Sequence, residues 1–599
     1  MIPRIQALTT AGVDERDAND LLPPLADVPP EARGQLALIA LVLILIASFA
    51  IKLHNLGHLA IKGLDESFHA VVAANLLEHP LTPTYIDRPF LPYDYRNWSQ
   101  NHVWLHKGIV PLWQIALSFK IWGVETFGLR FPSALLTTLS ALLTYLIARE
   151  LLGRGAALVA AALHALSPQM LMLAHGYAFS DHIDVALVFW VELGIWLVVR
   201  AMRTGKLNYA ALAGVAQALA FLSKMYPALI VTGVALAAWL APALRLARRE
   251  DTRFGGKHLL AMLGASIAVA SPWLIWTATK FPNEFRHEYF YALKHLGADV
   301  EGFGAPPDRL LFGYALAAFH VFYPLALAAT LLLVVRAGQS RDVRLWVVLA
   351  WALGVFVTFT VARSKTPSAT AVGWPAFYLI LGAAAARAAR GDALMLGACL
   401  VAPPLIVANF VFKLGGFDVL GMGGAAGETF RRNIWVLWHV LAALGAAILL
   451  QVVARRIPRG VMGVLFIFAA LGLVALSLAW TERAWKVTQM NDNEPAFVEI
   501  GAFARQRLLP ESVLLLDERE KLERNTLMFR ARRTTYGTNE QNWRDVAVEV
   551  VKNGGIPFVV SHRQLSLKPI LTSRRDGRIL YQVTPADLGL SGTTAASPR

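Results

Sequence analysis

Apolar runs long enough to cross a bilayer recur along this chain from residue 36 to residue 480. A run of about 20 apolar residues spans the hydrocarbon core, and it does so as an α-helix because unpaired backbone groups are costly in lipid. Only 16% of the residues are charged, whereas soluble domains carry about 25%. The sequence therefore predicts an all-α polytopic membrane domain over residues 35–480.

Charges in the short loops predict the number and direction of the crossings, because loops rich in Arg and Lys mark the cytoplasmic side. All of these basic loops fall on one side of the membrane if residues 109–148 cross it once. Residues 109–122 are then predicted to form a helix on the outer surface, with Trp113 and Trp122 at the water interface. We predict about 13 spans, a cytoplasmic disordered tail over 1–34, and an extracytoplasmic C-terminus. Since topology explains much of the net charge of +15, no nucleic-acid partner is expected.

The segment after Trp480 has a different pattern. Predicted strands at 512–517, 556–561 and 578–583 alternate with predicted helices at 495–507 and 541–553. This alternation indicates a small extracytoplasmic α/β domain over 481–590 with a partly parallel sheet, followed by a flexible tail over 591–599. The single cysteine, Cys399, excludes disulfides and cysteine-ligated metals within one chain.

Adjacent carboxylates, Asp65 and Glu66, open a helix predicted over 66–78 on the outer face. Carboxylates are favoured at helix N-termini, so these two residues could simply cap the helix. Two adjacent acids at the lipid–water boundary, ahead of a long outer loop, equally suit a general base. Both interpretations stay open at this point.

A second pair of acids, Asp181 and Asp184, lies at the outer end of a predicted span. An aspartate at the end of a span can be solvated. Asp184 enters an apolar helix, which is the costlier placement, and ionisable groups inside a membrane usually mark functional sites.

Basic residues also collect on the predicted outer face. Lys107 begins the surface helix, Lys224 lies in a tight hairpin, and Arg363 and Lys365 stand in a later outer loop. An interfacial lysine can merely extend its ammonium toward water. Basic groups where topology disfavours them instead indicate an anionic ligand such as a phosphate.

The loop Phe281–Asp308 carries His287, Glu288 and His295. Such side chains are candidates for a divalent metal, although their spacing fits no familiar ligand motif. No other cofactor is predicted.

Together, the carboxylates could deprotonate a nucleophile while the lysines hold a phosphate leaving group. The outer side of the membrane lacks nucleotide-activated substrates, so the energy for group transfer has to arrive attached to a lipid. The sequence therefore predicts a transferase that uses a polyprenyl-phosphate-linked donor.

The order of motifs resembles the GT-C superfamily of membrane glycosyltransferases, most closely the branch with the lipid A aminoarabinose transferase and the protein O-mannosyltransferases. The motifs are Asp65-Glu66, Lys107 ahead of Leu112-Trp113, "FGLRFPSAL" at 127–135, "FLSK" at 221–224 and "SKTPS" at 364–368. The resemblance runs from about residue 36 to 585. It implies inverting sugar transfer from a polyprenyl phosphate to a glycolipid such as lipid A, a polysaccharide or a protein, at the outer face of the bacterial inner membrane.

The resemblance also assigns site residues. The catalytic acid falls on Asp65, with Glu66 beside it, and the second acid falls on Asp184, with Asp181 as its competitor. The resemblance places the groups that bind the donor phosphate on Lys107, Lys224 and Lys365 and aligns His295 with a histidine of the large outer loop. With the outer-loop Arg363, these five are the predicted donor phosphate-binding residues.

Three positions depart from the pattern of the aminoarabinose transferases. Phe68 replaces an arginine, Ala369 replaces a tyrosine, and Gly108 replaces a proline. One phosphate contact and one pocket wall are therefore altered, so the donor sugar and the acceptor do not carry over.

Two other classes of protein compete with the transferase. A transporter or lipid flippase would explain charged residues at membrane level, but not a folded external domain. A membrane scaffold would have no need for the outer lysines.

Overall fold

The computed structural model describes residues 30–58, 60–61, 65–97, 100–178, 181–411, 426–489, 497–518 and 523–590. These residues form a helical membrane domain and a small sheet domain that follows it. Most of the predicted N-terminal tail and the tail over 591–599 lie outside the described residues. The first helix begins at Pro30.

Ten helices among the described residues are long and apolar enough to cross a membrane. They are Gly34–Leu53, Thr126–Leu151, Asp181–Thr204, Tyr226–Ala243, Gly256–Lys280, Arg309–Ser340, Val343–Val361, Thr370–Ala389, Asn433–Arg456 and Arg459–Thr488. A pair of helices, Arg154–Ala165 and Pro168–Ala174, passes the same test together but is bent by 46°, which is the geometry of a broken span or a re-entrant loop. The predicted polytopic all-α fold is confirmed.

The 13 predicted spans included residues 208–222 and 392–412, whose helices fall short of a membrane span in length or composition. Leu207–Lys224 is a helix that packs against the spans on either side of it. The other is divided into Ala393–Cys399 and Ala402–Val411. The number 13 therefore stays a prediction.

Three shorter helices surround the region where the predicted site residues lie. They are Asp65–Asn75 (the Asp65 helix), Ile109–Trp122 (the surface helix) and Pro282–Gly297 (the loop helix). The surface helix buries one face, including Leu112 and Ile115, and leaves Leu117, Ile121 and Trp122 exposed. An exposed apolar edge of this kind suits the predicted position at the membrane surface.

The C-terminal domain, residues 497–590, contains the predicted partly parallel sheet. Its five strands are β1 (Ser512–Asp517), β2 (Thr535–Thr538), β3 (Ile556–Ser561), β4 (Lys568–Thr572) and β5 (Ile579–Gln582). Their order is β2-β1-β3-β5-β4, with β1 parallel to β2 and β3, and β5 antiparallel to β3 and β4. Its helices are Val498–Arg507, Glu523–Ala531 and Trp543–Lys552.

One apolar cluster joins this domain to the membrane domain, and we call it the docking core. The membrane domain contributes Phe68, Tyr85, Trp104 and Phe119, and the C-terminal domain contributes Met528, Phe529 and Tyr536. The Phe119 and Phe529 rings lie 5.8 Å apart. Shared burial of large aromatic side chains makes the two domains pack as one body.

Candidate active site

An ion pair joins Asp65 to Lys107. Lys107 Nζ lies 3.2 Å from Asp65 Oδ2, and the two side chains keep 14% and 26% of their surface exposed. Asp65 opens its helix, where the helix dipole favours a carboxylate. Burial acts to lower the pKa of Lys107, but the charges of Asp65, Asp184 and Glu301 outweigh it and raise that pKa above its usual value. Lys107 is therefore an ammonium at neutral pH.

A second ion pair lies beside the first. Lys224 Nζ is 2.5 Å from Asp184 Oδ1 and 3.1 Å from Ser368 Oγ. The Asp184 side chain is fully buried, and its Oδ2 atom has no hydrogen-bond partner among the described residues. Because Asp184 also acts on Lys107, the four charges form one cluster of alternating sign.

Gly108 explains how the two lysines come together. Its N–H donates to Ser223 O at 3.3 Å, and a Cβ atom on Gly108 would lie 2.0 Å from Leu222 O. Any larger residue would push the Lys107 loop away from the end of the Lys224 helix. A proline would also remove the donated N–H. Gly108, at the position where the resembled family usually has a proline, thus makes a close backbone contact with Leu222 and Ser223.

A small, largely apolar pocket adjoins Lys107. It is lined by Leu105, Lys107, Gly108, Phe221, Leu222, Met225, Trp273, Thr277 and Tyr289. A pocket with one ammonium and mainly apolar walls suits a ligand with an anionic head and an apolar chain.

Lys365 is buried and bonds to loop backbone. Its Nζ donates to Ala305 O at 2.8 Å and to Ala362 O at 2.6 Å. Its segment still borders the charge cluster, because Ser368 accepts from Lys224. The structure thus brings Asp65, Lys107, Asp184 and Lys224 together and directs the Lys365 ammonium into the neighbouring loop.

Arg363 and His295 connect this loop to the loop helix through their backbones. Arg363 N–H donates to Leu296 O at 2.9 Å, and Ser364 N–H donates to His295 O at 3.0 Å. The Arg363 side chain is exposed. Burial lowers the pKa of the His295 imidazole, which makes it neutral at neutral pH.

Glu66 differs from its neighbour Asp65 in being buried. Its two oxygens accept from Arg130 Nε at 2.6 Å and Nη2 at 2.9 Å, and both side chains are 3% exposed. Gly176, at φ +72°, passes so close that a Cβ atom there would meet Glu66 Oε1 at 2.2 Å. Glu66 therefore forms a structural ion pair between the Asp65 helix and the following span.

Asp181 and Asp184 point to different partners. Asp181 Oδ1 lies 2.7 Å from Nδ1 of His69, which is one turn beyond Asp65. Sequence reasoning missed His69, Arg130 and Ser368 as partners of the acids and lysines. Arg130 and Ser368 lie inside the quoted motifs, and the four-residue spacing of Asp65 and His69 on one helix was a usable signal.

The residues predicted as possible metal ligands have few other ligand groups close to them. Glu288 Oε2 lies 2.9 Å from Nδ1 of His106, which gives two facing ligand groups. Within the described part of the chain, the one set of three suitable side chains close enough for a metal is Glu78, His79 and Asp87, all exposed. Two facing groups fall short of the three or four protein ligands of most zinc sites, so no step is assigned to a metal.

Residues 106–276 match the sequence family described as dolichyl-phosphate-mannose-protein mannosyltransferase. An undecaprenyl phosphate-alpha-4-amino-4-deoxy-L-arabinose arabinosyl transferase of Pseudomonas fluorescens Pf0-1 is 27% identical over 281 residues, 45% of this chain and 47% of the relative. A second, from strain Pf-5, is 28% identical over 349 residues, 55% of this chain and 56% of the relative. The matched region covers about half the length of these curated relatives.

The fold is similar to that of ArnT from Cupriavidus metallidurans. The apo crystal structure superposes with a TM-score of 0.59 at 17% identity and covers 94% of this chain and 100% of that one. The fold and the sequence similarities together relate this chain to the GT-C superfamily of membrane glycosyltransferases, with the aminoarabinose transferases among its relatives.

Proposed function

We propose that this protein transfers a sugar from a polyprenyl-phosphate donor to a cell-envelope acceptor, with inversion at the anomeric carbon. The observation that carries the proposal is the cluster of Asp65, Lys107, Asp184 and Lys224 beside the apolar pocket. The cluster offers cations for a phosphate and carboxylates for an acceptor proton within one small region.

The donor would bind with its phosphate between Lys107 and Lys224. Its polyprenyl chain stays in lipid, because each buried methylene contributes about 0.8 kcal/mol. The apolar pocket walls, including Phe221, Trp273 and Tyr289, suit the part of the chain next to the phosphate. ArnT of Cupriavidus metallidurans, which shares the fold, has been crystallised bound to undecaprenyl phosphate.

Asp65 is the proposed general base. It would accept the proton of the acceptor's nucleophilic group while that group attacks the anomeric carbon. The bond from the anomeric carbon to the phosphate oxygen breaks, and its electron pair leaves with the phosphate, next to the two ammonium groups. Asp184, held by Lys224, is the proposed second acid in preference to Asp181, because Asp184 acts on Lys107.

The donor sugar and the acceptor form the finer part of the proposal. The curated relatives are named for transfer of 4-amino-4-deoxy-L-arabinose. Here Phe68 replaces the arginine of that branch and stacks on Trp104 with ring centroids 5.5 Å apart, so it lies in the docking core. The proposed donor carries a pentose or a hexose, and the proposed acceptor is a glycolipid such as lipid A, a polysaccharide or a protein.

The proposed location is the bacterial inner membrane, with a cytoplasmic N-terminus and a periplasmic C-terminal domain. Basic loops such as that of Arg245, Arg248 and Arg249 would then face the cytoplasm. This orientation places the Asp65–Lys107 pair on the outer side, at headgroup level.

The experiment is an assay of the purified full-length protein with lipid-linked sugars and an envelope extract as the source of acceptor. Thin-layer chromatography or mass spectrometry measures the free polyprenyl phosphate. We expect time-dependent release that requires acceptor. Failure to release it from any member of a panel of lipid-linked pentoses and hexoses would contradict the proposal.

A further inference from the structure

The Asp65 helix depends on its surroundings for its position. It has 11 residues, and every one from Glu66 to Asn75 is buried. Isolated helices shorter than about 12–15 residues are marginally stable, so neighbouring elements must fix this one in place. Asp65 is its first residue, and any tilt or slide of the helix would change the distance from Asp65 to Lys107.

The C-terminal domain holds the start of this helix through Asn525, a fully buried residue. Asn525 Nδ2 donates to Ser67 Oγ at 3.1 Å, and Asn525 Oδ1 accepts from the hydroxyl of Tyr85 at 2.5 Å. Ser67 lies two residues after Asp65. One carboxamide thus ties the first turn of the helix to the loop that leads toward Lys107.

The same domain also holds the end of the helix. Arg532 Nη1 donates to Asn75 Oδ1 at 3.1 Å, and Arg532 Nη2 lies 3.4 Å from both Ala74 O and Glu78 Oε1. A cation at a helix C-terminus is favoured by the helix dipole and bonds to the last carbonyls. Asn525 and Arg532 therefore contact opposite ends of the same short helix.

Apolar contacts fill the space between these two polar anchors. Phe68 of the Asp65 helix belongs to the docking core together with Met528 and Phe529. The rings of Phe68 and Tyr85 lie 5.0 Å apart. The helix Glu523–Ala531 thus packs along the Asp65 helix rather than touching it at one point.

We propose that Asn525 is a positioning residue for the transfer reaction: through Ser67 it fixes the first turn of the Asp65 helix and so the placement of Asp65 against Lys107. This inference rests on the proposed function, because it assigns Asn525 a role that acts through Asp65. The C-terminal domain is then part of the catalytic assembly.

The test compares Asn525→Ala with a matched control, Asn553→Ala. Asn553 is an exposed residue of the same domain, and its Nδ2 also bonds to the first outer loop, at Phe90 O. Both variants remove asparagine hydrogen bonds between the domains, two for Asn525 and one for Asn553, but of the two residues Asn525 alone contacts the Asp65 helix. We expect Asn525→Ala to lower kcat about 10- to 100-fold, the cost of a small misplacement of a reacting group. Its KM for donor should stay within about two-fold, and Asn553→Ala should match wild type.

Ser67→Ala removes the hydrogen bond between Asn525 and Ser67 by changing the membrane domain instead. This variant tests the same contact if Asn525→Ala fails to fold. We expect a similar loss of kcat, and less than additive losses in the double variant because both changes break one contact. Wild-type kcat in both Ser67→Ala and Asn525→Ala would overturn the inference.

Amide hydrogen exchange over residues 65–75 separates this inference from the proposed function, because it needs no substrate. Asn525→Ala should speed exchange in the first turn of the helix, whereas Asn553→Ala should not. If wild type transfers no sugar but this difference appears, the proposed function fails while the positioning contact stands. Unchanged exchange in an Asn525→Ala variant that is fully active removes the inference alone.

Discussion

Lys107 and Asp65 are bound to each other, with Nζ 3.2 Å from Oδ2. Lys107, the cation proposed to bind the donor phosphate, is therefore ion-paired with Asp65, the base proposed to act on the acceptor, in the absence of either substrate. An arriving phosphate would draw the ammonium toward itself and leave the carboxylate free to accept a proton. Under the proposed function, donor binding and activation of the base would be coupled.

Replacing Lys107 by Met should weaken donor binding at least about 10-fold, because the variant keeps an unbranched chain but loses the ammonium that binds the phosphate. The melting temperature should change little, since Lys107 remains partly exposed. Binding of a fluorescent polyprenyl phosphate to detergent-solubilised protein measures the first quantity, and a thermal shift measures the second. Donor affinity equal to that of wild type would make Lys107 an interfacial anchor.

Lys365→Met should affect stability as well as donor binding. The Lys365 ammonium donates to Ala305 O and Ala362 O, and an unsatisfied buried polar group costs about 1–3 kcal/mol. We expect a lower melting temperature. Donor binding should weaken indirectly, because Ser368 of the same segment accepts from Lys224. A variant that melts like wild type would show that these two carbonyls find other donors.

Glu66→Gln and Asp65→Asn should separate stability from activity. Removing the Glu66 charge leaves Arg130 as an uncompensated buried cation, which costs about 3–5 kcal/mol. We expect Glu66→Gln to express poorly and unfold at lower temperature, whereas Asp65→Asn melts like wild type. If the two variants melt at the same temperature, the ion pair of Glu66 with Arg130 does not stabilise the fold.

Gly108→Ala should lower both stability and turnover. Its Cβ atom would lie 2.0 Å from Leu222 O, and relieving such an overlap costs about 1–3 kcal/mol. The displacement would carry Lys107 away from Lys224, so the KM for donor should rise. Gly255→Ala is a control for adding a methyl group to a glycine, because a Cβ atom there has no neighbour within 4 Å and its φ of −143° is open to alanine. An unchanged KM in Gly108→Ala would argue against the close contact.

The sequence predicted the membrane domain well, because hydrophobic length and loop charge directly reflect the bilayer. It also predicted β1, β3 and β5 in the external domain. It missed β2, which has four residues, and β4, whose side chains are largely exposed; such strands lack the buried apolar pattern on which the prediction depends.

The site was predicted as a set of residues, but not as pairs. Motif order named Asp65, Lys107, Asp184 and Lys224, yet nothing in one sequence says that Glu66 faces Arg130 while Asp65 faces Lys107. That difference arises from helix geometry, since adjacent helical residues point about 100° apart. The contact between Asn525 and Ser67 joins distant parts of the chain and has no local signal at all.

The most direct test of the central claim is the turnover of Asp65→Asn with saturating donor and acceptor. General-base catalysis contributes about 10²- to 10⁴-fold, so release of polyprenyl phosphate should fall by that factor. Expression, melting temperature and donor binding should stay close to those of wild type. Near-normal turnover in a correctly folded Asp65→Asn protein would contradict the account, because no base would then be required at this position.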